Sequence, residues 1–292
     1  MTSTARTHRR GWVFVAPFAV VFALTFLAPL GYAFGLSLFR DQAFFGGTVF
    51  VGLGNYGEVL VDAKFWSAFG RVLLFLAVQV PVMLLLALVA AFAIDSARLH
   101  AAGFFRIVIF LPYAVPGVVA VLMWGFIYGD NFGLAADLNH LLGPGAVRPL
   151  SADWILSAIG NIVTWEFVGY NMLIFYSALK VVPPDLIEAA AIDGAGPLRT
   201  ILSVKLPALR GAIVIATIFS VIGSFQLFNE PNILRTLAPN VIGTYYTPNM
   251  YAYNLSFAGQ QYNYSATVAI VMGVITAVIA YAVQLRGNRK AV

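Results

Sequence analysis

Six stretches of about twenty apolar residues recur along this 292-residue chain, at 11–39, 72–94, 107–129, 154–179, 211–229 and 264–285. Each is long enough to cross the roughly 30 Å hydrocarbon layer of a bilayer as a helix. Glu166 is the one charge inside them. Only helices and closed barrels satisfy every backbone donor and acceptor in lipid. Barrel strands alternate in segments of about ten residues, a pattern absent here, so the expected fold is an all-α integral membrane protein. Apolar residues make up 61% and charged residues 10%, against about 45–50% and 25% in soluble domains. That balance argues against a cytosolic enzyme, a nucleic-acid binder and a disordered chain. A net charge of +5 over so apolar a chain forms no phosphate-binding patch. With no cysteine there is no disulfide framework, thiolate metal site or thiol nucleophile. His8, His100 and His140 sit on separate segments and form no metal-ligand pattern.

Six crossings put both termini on one side, and the basic residues say which. Twelve of the seventeen lie on one face: Arg6, Arg9, Arg10, Arg98, Arg106, Lys180, Arg199, Lys205, Arg210, Arg286, Arg289 and Lys290. The positive-inside rule makes that face cytoplasmic, so a multi-pass protein of the cell membrane with both termini inside is expected. The first apolar run is too long for a cleaved signal and reads as a retained helix. No soluble domain is present. The expected organisation is an N-terminus and first helix (1–39), an outer loop (40–70), a five-helix core (71–285) and a tail (286–292). The outer segments 40–70 and 230–263 read as ordered caps.

The loop after the fourth span is the most informative stretch. Pro183 and Pro184 cannot continue a helix but can open one. Asp185 and Glu188 suit its first turn. Leu186, Ile187, Ala190 and Ala191 share a face at helical spacing, and Gly194 is a natural stop. A helix of two to three turns is expected, then a second short one over 199–206, halted near Pro207. The run Ala189-Ala190-Ala191 suits a helix that enters a groove on another protein. Tidying of a surface loop is the plainer alternative.

Glu188-Ala189-Ala190, then Asp193-Gly194-Ala195, then Leu206-Pro207, resemble the EAA coupling motif of binding-protein-dependent ABC importer permeases. The resemblance extends to Phe104-Phe105-Arg106 leading into Phe110-Leu111-Pro112, to Gly52-Leu53-Gly54-Asn55-Tyr56, and to Trp165 with Gly169-Tyr170-Asn171. The pattern looks like the first permease subunit of carbohydrate importers of the maltose, lactose and multiple-sugar type. Gly196-Pro197 departs mildly from the usual pattern, where a polar residue is frequent.

The resemblance implies the six-helix ABC type I importer fold and a coupling loop at 181–207. It implies a second permease subunit, a cytoplasmic ATPase dimer that holds ATP and Mg, and an extracytoplasmic sugar-binding protein. This chain would itself carry no cofactor and do no chemistry; it has no G-x-x-x-x-G-K-[ST] phosphate loop. A secondary transporter would instead want internal repeats and more helices. A membrane enzyme would want clustered acids or histidines.

A sugar calls for hydrogen-bonding groups beside aromatic faces. Trp165, Glu166, Gly169, Tyr170 and Asn171 on the fourth span, with Ser220, Ser224, Phe225, Gln226 and Asn229 on the fifth, are the candidate pathway residues. Each has a plainer reading as packing. Glu166 has the sharpest alternatives, a solute ligand or a structural pair with the partner subunit, because charges in a span usually face a cavity or another helix. Glycerol phosphate remains open as solute, since a partner chain can supply basic residues.

Overall fold

The computed structural model describes residues 14–42, 47–96 and 99–289. Arg6, Arg9, Arg10, Arg98 and Lys290 lie outside the described residues. The architecture is helical, with one two-stranded hairpin among the described residues. Five helices are long and apolar enough to span a membrane, and a bent pair makes up to six. Contacts divide the chain into two compact units, Met1–Phe65 with Tyr251–Gly273, and Trp66–Met250 with Val274–Val292.

In the first unit, α1 (Phe14–Ser37) buries none of its apolar window. Its surface is the kind that lipid or another chain covers. The strands β1 (Phe39–Asp41) and β2 (Thr48–Phe50) pair antiparallel, with Phe39 opposite Phe50. Helix α2 (Gly54–Val61) follows. Here Asn55, 1% exposed, donates to the carbonyls of Ser37 and Phe39 at 2.9 and 2.7 Å and accepts from Arg40 at 3.1 Å. That explains a buried amide in an outer loop: it saturates the backbone where α1 gives way to the hairpin. Asp62 accepts hydroxyls from Tyr251 and Tyr264 at 2.6 and 2.8 Å. Burial raises the Asp62 carboxyl, but those hydroxyls and the amides of Lys64 and Phe65 outweigh it and hold the group below its ordinary range. The hydroxyl of Tyr251, on α12 (Pro248–Phe257), is pushed up by burial and then by this carboxylate.

The long helix α3 (Ala63–Asp95) carries Pro81 in its interior. The third span is not the single helix expected. Instead α4 (Ala102–Phe110) runs through a 3-10 turn (Leu111–Ala114), and α5 (Gly117–Ile127) leaves at 96°. Val115 precedes Pro116, and a residue before proline avoids the helical region. Val115 and Pro116 are both extended, with ψ of 130° and 128°. Helix α6 (Leu134–Leu142) lies in the next outer segment, and α7 (Ile155–Leu179) is the fourth span.

The loop after α7 folds much as its local signals predict. Helix α8 (Pro184–Ile192) opens on proline and buries no residue. Gly194 takes φ +75°. Its amide donates to the Ala191 carbonyl at 3.0 Å, and the Ala195 amide to that of Ala190 at 2.9 Å. That pair of bonds is a Schellman stop, which favours glycine at this position. The second helix is longer than expected. α9 (Pro197–Thr200) continues as a π-helical stretch (Ile201–Lys205) into a final turn (Leu206–Ala208). It ends at Ala208, one residue past Pro207, as expected, and the wide π turn just before the proline reorganises the carbonyls its ring would strike.

The fifth span is broken: α10 (Arg210–Phe225) ends, and α11 (Asn229–Leu234) begins after a short non-helical link. The carbonyls released there are matched from outside the span. Asn249 donates to the Phe225 carbonyl at 2.9 Å and Thr247 to that of Leu227 at 2.9 Å. Irregular backbone at this depth needs such partners. The last span is α13 (Tyr262–Arg289).

Two apolar clusters hold the second unit. One joins Phe75, Val121, Ile155, Ile159, Ile162, Leu234, Ile242 and Met250. The other joins Val80, Met83, Ala87, Ala91, Met172, Phe175, Leu209 and Ala216. Glycine sets the tightest approach. A Cβ on Gly169 would lie 2.1 Å from the Ile109 carbonyl oxygen, so α7 meets α4 backbone to backbone.

Candidate functional site

Between α3, α7 and α10 lies a cavity of about 400 Å³. Four α7 residues line it, Val163, Phe167, Tyr170 and Asn171, which fall on one stripe at helical spacing. From α3 come Phe75, Gln79 and Met83. From α10 come Phe219, Ser220, Gly223 and Ser224, the break beyond it supplies Gln226 and Leu227, and the first turn of α11 supplies Asn229 and Glu230.

One wall is aromatic. Tyr113, from the 3-10 turn, stacks on Tyr170 with ring centroids 4.9 Å apart and planes 19° off parallel, and meets Phe167 edge-on at 5.7 Å. The lining also carries amides and hydroxyls. Asn171 donates to the Phe167 carbonyl at 3.0 Å, and Gln79 to the Thr164 hydroxyl at 3.3 Å. Ser224 donates back to the Ser220 carbonyl at 2.8 Å, which leaves its oxygen free to accept. Glu230 supplies a carboxylate, and no Lys or Arg is among the lining residues.

The structure thus brings together Tyr170, Asn171, Ser220, Ser224, Gln226 and Asn229 of the candidate pathway residues. It places four elsewhere. Trp165 packs edge-on against Trp124, with centroids 5.9 Å apart. Phe225 is buried and stacks on Phe69 at 5.9 Å. Gly169 forms the backbone contact with α4. Glu166 is 7% exposed, and its Oε2 is buried without a partner. A Cβ on Gly117 would come within 3.3 Å of its Oε1, so the glycine that opens α5 leaves room for the carboxylate.

Sequence reasoning missed Tyr113, Phe167, Gln79 and Met83. Only Gln79, an amide in the middle of an otherwise apolar span, carried a signal strong enough to find it.

At one end of the same bundle stands the loop that bears α8. Leu186 is 52% exposed and Ile192 87%. Glu188, Ala189, Asp193 and Gly194 are exposed as well, while Ala190, Ala195, Leu206 and Pro207 are half-buried. Among the described residues no cluster of His, Cys, Asp or Glu could hold a metal ion.

A bundle of membrane-spanning helices that encloses a polar cavity and presents an unburied helix at one end is the architecture of a solute permease. Residues 83–290 match the model of the family described as "Binding-protein-dependent transport system inner membrane component", and the chain belongs to that family. It is 31% identical to the lactose transport system permease protein LacF of Rhizobium radiobacter, over 96% of this chain and 97% of that protein. It is 32% identical to the diacetylchitobiose uptake system permease protein NgcF of Streptomyces coelicolor, over 89% and 77%. The fold matches a chain of a bacterial ABC transporter involved in the import of the acidic polysaccharide alginate. That match has a TM-score of 0.81 at 17% identity and covers 98% of this chain and 99% of the other. The chain is therefore a transport component with the ABC importer permease fold.

Proposed function

We propose that this permease subunit carries an uncharged sugar, of di- or oligosaccharide size, into the cytoplasm by alternating access. The observation that carries this reading is the cavity: its lining combines a stacked aromatic pair with amides, hydroxyls and one carboxyl group, and has no basic side chain. Pyranose rings have apolar faces and equatorial hydroxyls, and such a lining matches both. A phosphorylated or uronic solute calls for Arg or Lys forks, and the lining offers none. Likeness to LacF and NgcF supports the sugar reading. The expectation is that a strain lacking this subunit regains uptake of a radiolabelled neutral disaccharide when the gene is restored, and gains no uptake of glycerol phosphate. Restored glycerol phosphate uptake without sugar uptake would overturn the assignment.

The partners follow from the same reading. The 181–207 loop faces the cytoplasm with both termini, and α8 docks in a cleft of an ATPase dimer that binds ATP and Mg. A second permease subunit completes the pathway, a binding protein delivers the sugar from outside, and residues 71–285 act as the transport core. Exposed Leu186 and Ile192 on a helix with no buried face support that docking. By linkage, ATP state and sugar access bias one another.

Glu166 is read as a solute-pathway acid set just behind the lining. Glu166→Gln is expected to raise the half-saturating sugar concentration several-fold, while the partner subunit still co-purifies in full. Equal loss of co-purification would assign Glu166 to the subunit interface instead.

A further inference from the structure

Helix α8 buries no residue within its own chain, yet both ends of the loop that carries it are tied to one side chain. Asp95 is the last residue of α3. Its Oδ1 accepts from Lys180 Nζ at 2.8 Å and its Oδ2 from Lys205 Nζ at 2.6 Å. Lys180 caps α7, where the loop departs, and Lys205 ends the π-helical stretch, where the loop returns. Asp95 and Lys205 are largely covered, with side chains 10% and 16% exposed, while Lys180 is 54% exposed. Lys180 Nζ also sits 5.0 Å from the Tyr176 ring centroid, and the Arg106 guanidinium lies 5.6 Å from the same ring.

Two cations on one carboxylate make an unequal clasp. A covered charge-assisted bond is strong and little screened, whereas an exposed one contributes little. Covered Lys205 therefore holds most of the grip, and exposed Lys180 completes it. Without the carboxylate, Lys205 keeps a charge with no counterion in a largely dry place, which is costly.

We infer that Asp95 is a positioning residue for energy coupling: by pinning the departing and returning ends of the α8 loop to the end of α3, it makes a push on α8 move α3 and α7 together. This inference rests on the reading that α8 docks on an ATPase. Without the clasp, α8 still docks, but the loop yields instead of the bundle, and ATP is consumed with little transport.

The test uses the full complex in proteoliposomes, with sugar uptake and ATP hydrolysis measured on the same sample. For Asp95→Asn we expect at least a tenfold fall in sugar moved per ATP hydrolysed, with hydrolysis within about twofold of the parent. Asp95→Glu should restore most of the ratio. Lys205→Gln should lower it more than Lys180→Gln, following their burial. A merely structural role would lower both activities with the amount of complex and leave the ratio alone. An unchanged ratio in Asp95→Asn overturns the inference. If that variant does not accumulate, the two lysine variants decide, and equal, unimpaired ratios overturn it. The docking premise is checked separately. The chain has no cysteine, so Ala189→Cys provides a single thiol for crosslinking to the ATPase. Crosslinking with an intact ratio in Asp95→Asn would sink the clasp alone; failure to crosslink would sink the docking reading beneath it.

Discussion

Gly194→Asp is expected to reduce solute uptake at least tenfold while the subunit still inserts and assembles at normal levels. Gly194 holds φ +75° at the end of α8, where a side chain is strained. Residues other than glycine pay roughly 1–2 kcal/mol in this region of backbone space. The strain stays local, because a Cβ at 194 would meet no atom within 4 Å. Its consequence falls on the Schellman bonds from Gly194 and Ala195 that end α8 and aim the chain toward α9. The new carboxylate also sits at the helix C-terminus, where the dipole disfavours negative charge. Glu188→Ala, on the same exposed helix, should act in the same direction without the backbone strain. Uptake assays beside quantitative membrane blots check both. Normal uptake in Gly194→Asp would remove α8 from the coupling route.

The second large effect is of the opposite kind. Gly169→Val is expected to lower the amount of subunit in the membrane several-fold, whatever the solute. Even the first added carbon would lie 2.1 Å from the Ile109 carbonyl oxygen and 2.7 Å from the Phe110 Cα. Overpacking costs about 1–3 kcal/mol where side chains can give way. Here both obstructing atoms are backbone, so α4 and α7 must separate. Small residues at such crossings let membrane helices approach closely. Gly211→Ala, at a helical site with open space around it, serves as the control and should accumulate normally. Equal accumulation of the two variants would show that the α4–α7 contact is dispensable.

These two glycines also mark what can be read from the chain and what cannot. Gly194 was legible because its role is local: prolines open a helix, acids follow, an apolar face repeats, and glycine stops it, all within a dozen residues. Gly169 was legible only by resemblance, and there it stood among pathway residues; its contact with α4 depends on a crossing some sixty residues away in sequence. The same division holds for the cavity. Periodicity identifies which residues of α7 share a stripe, but not which stripe faces inward. Tyr170 and Asn171 fall on the lining stripe, whereas Trp165, Glu166 and Gly169 fall on its neighbours. On α3, Phe75 and Met83 look like ordinary lipid-facing sequence until α7 is packed against them, and only the amide of Gln79 stands out in the apolar run. The bend at Val115-Pro116 was foreshadowed by its proline, yet a kink tolerated inside a span and a turn of 96° look alike in one dimension.

The interruption between α10 and α11 has a consequence for how such a transporter diversifies. The polar rim formed by Gln226, Asn229 and Glu230 keeps its shape because Thr247 and Asn249 clamp the neighbouring carbonyls. Those two side chains lie outside the spans, Thr247 buried where it accepts from the Met250 amide at the start of α12 and Asn249 on that helix's first turn. Altering them would retune the entrance for a differently shaped cargo while the machinery that moves cargo stays intact, so selectivity and drive can evolve on separate parts of the same polypeptide.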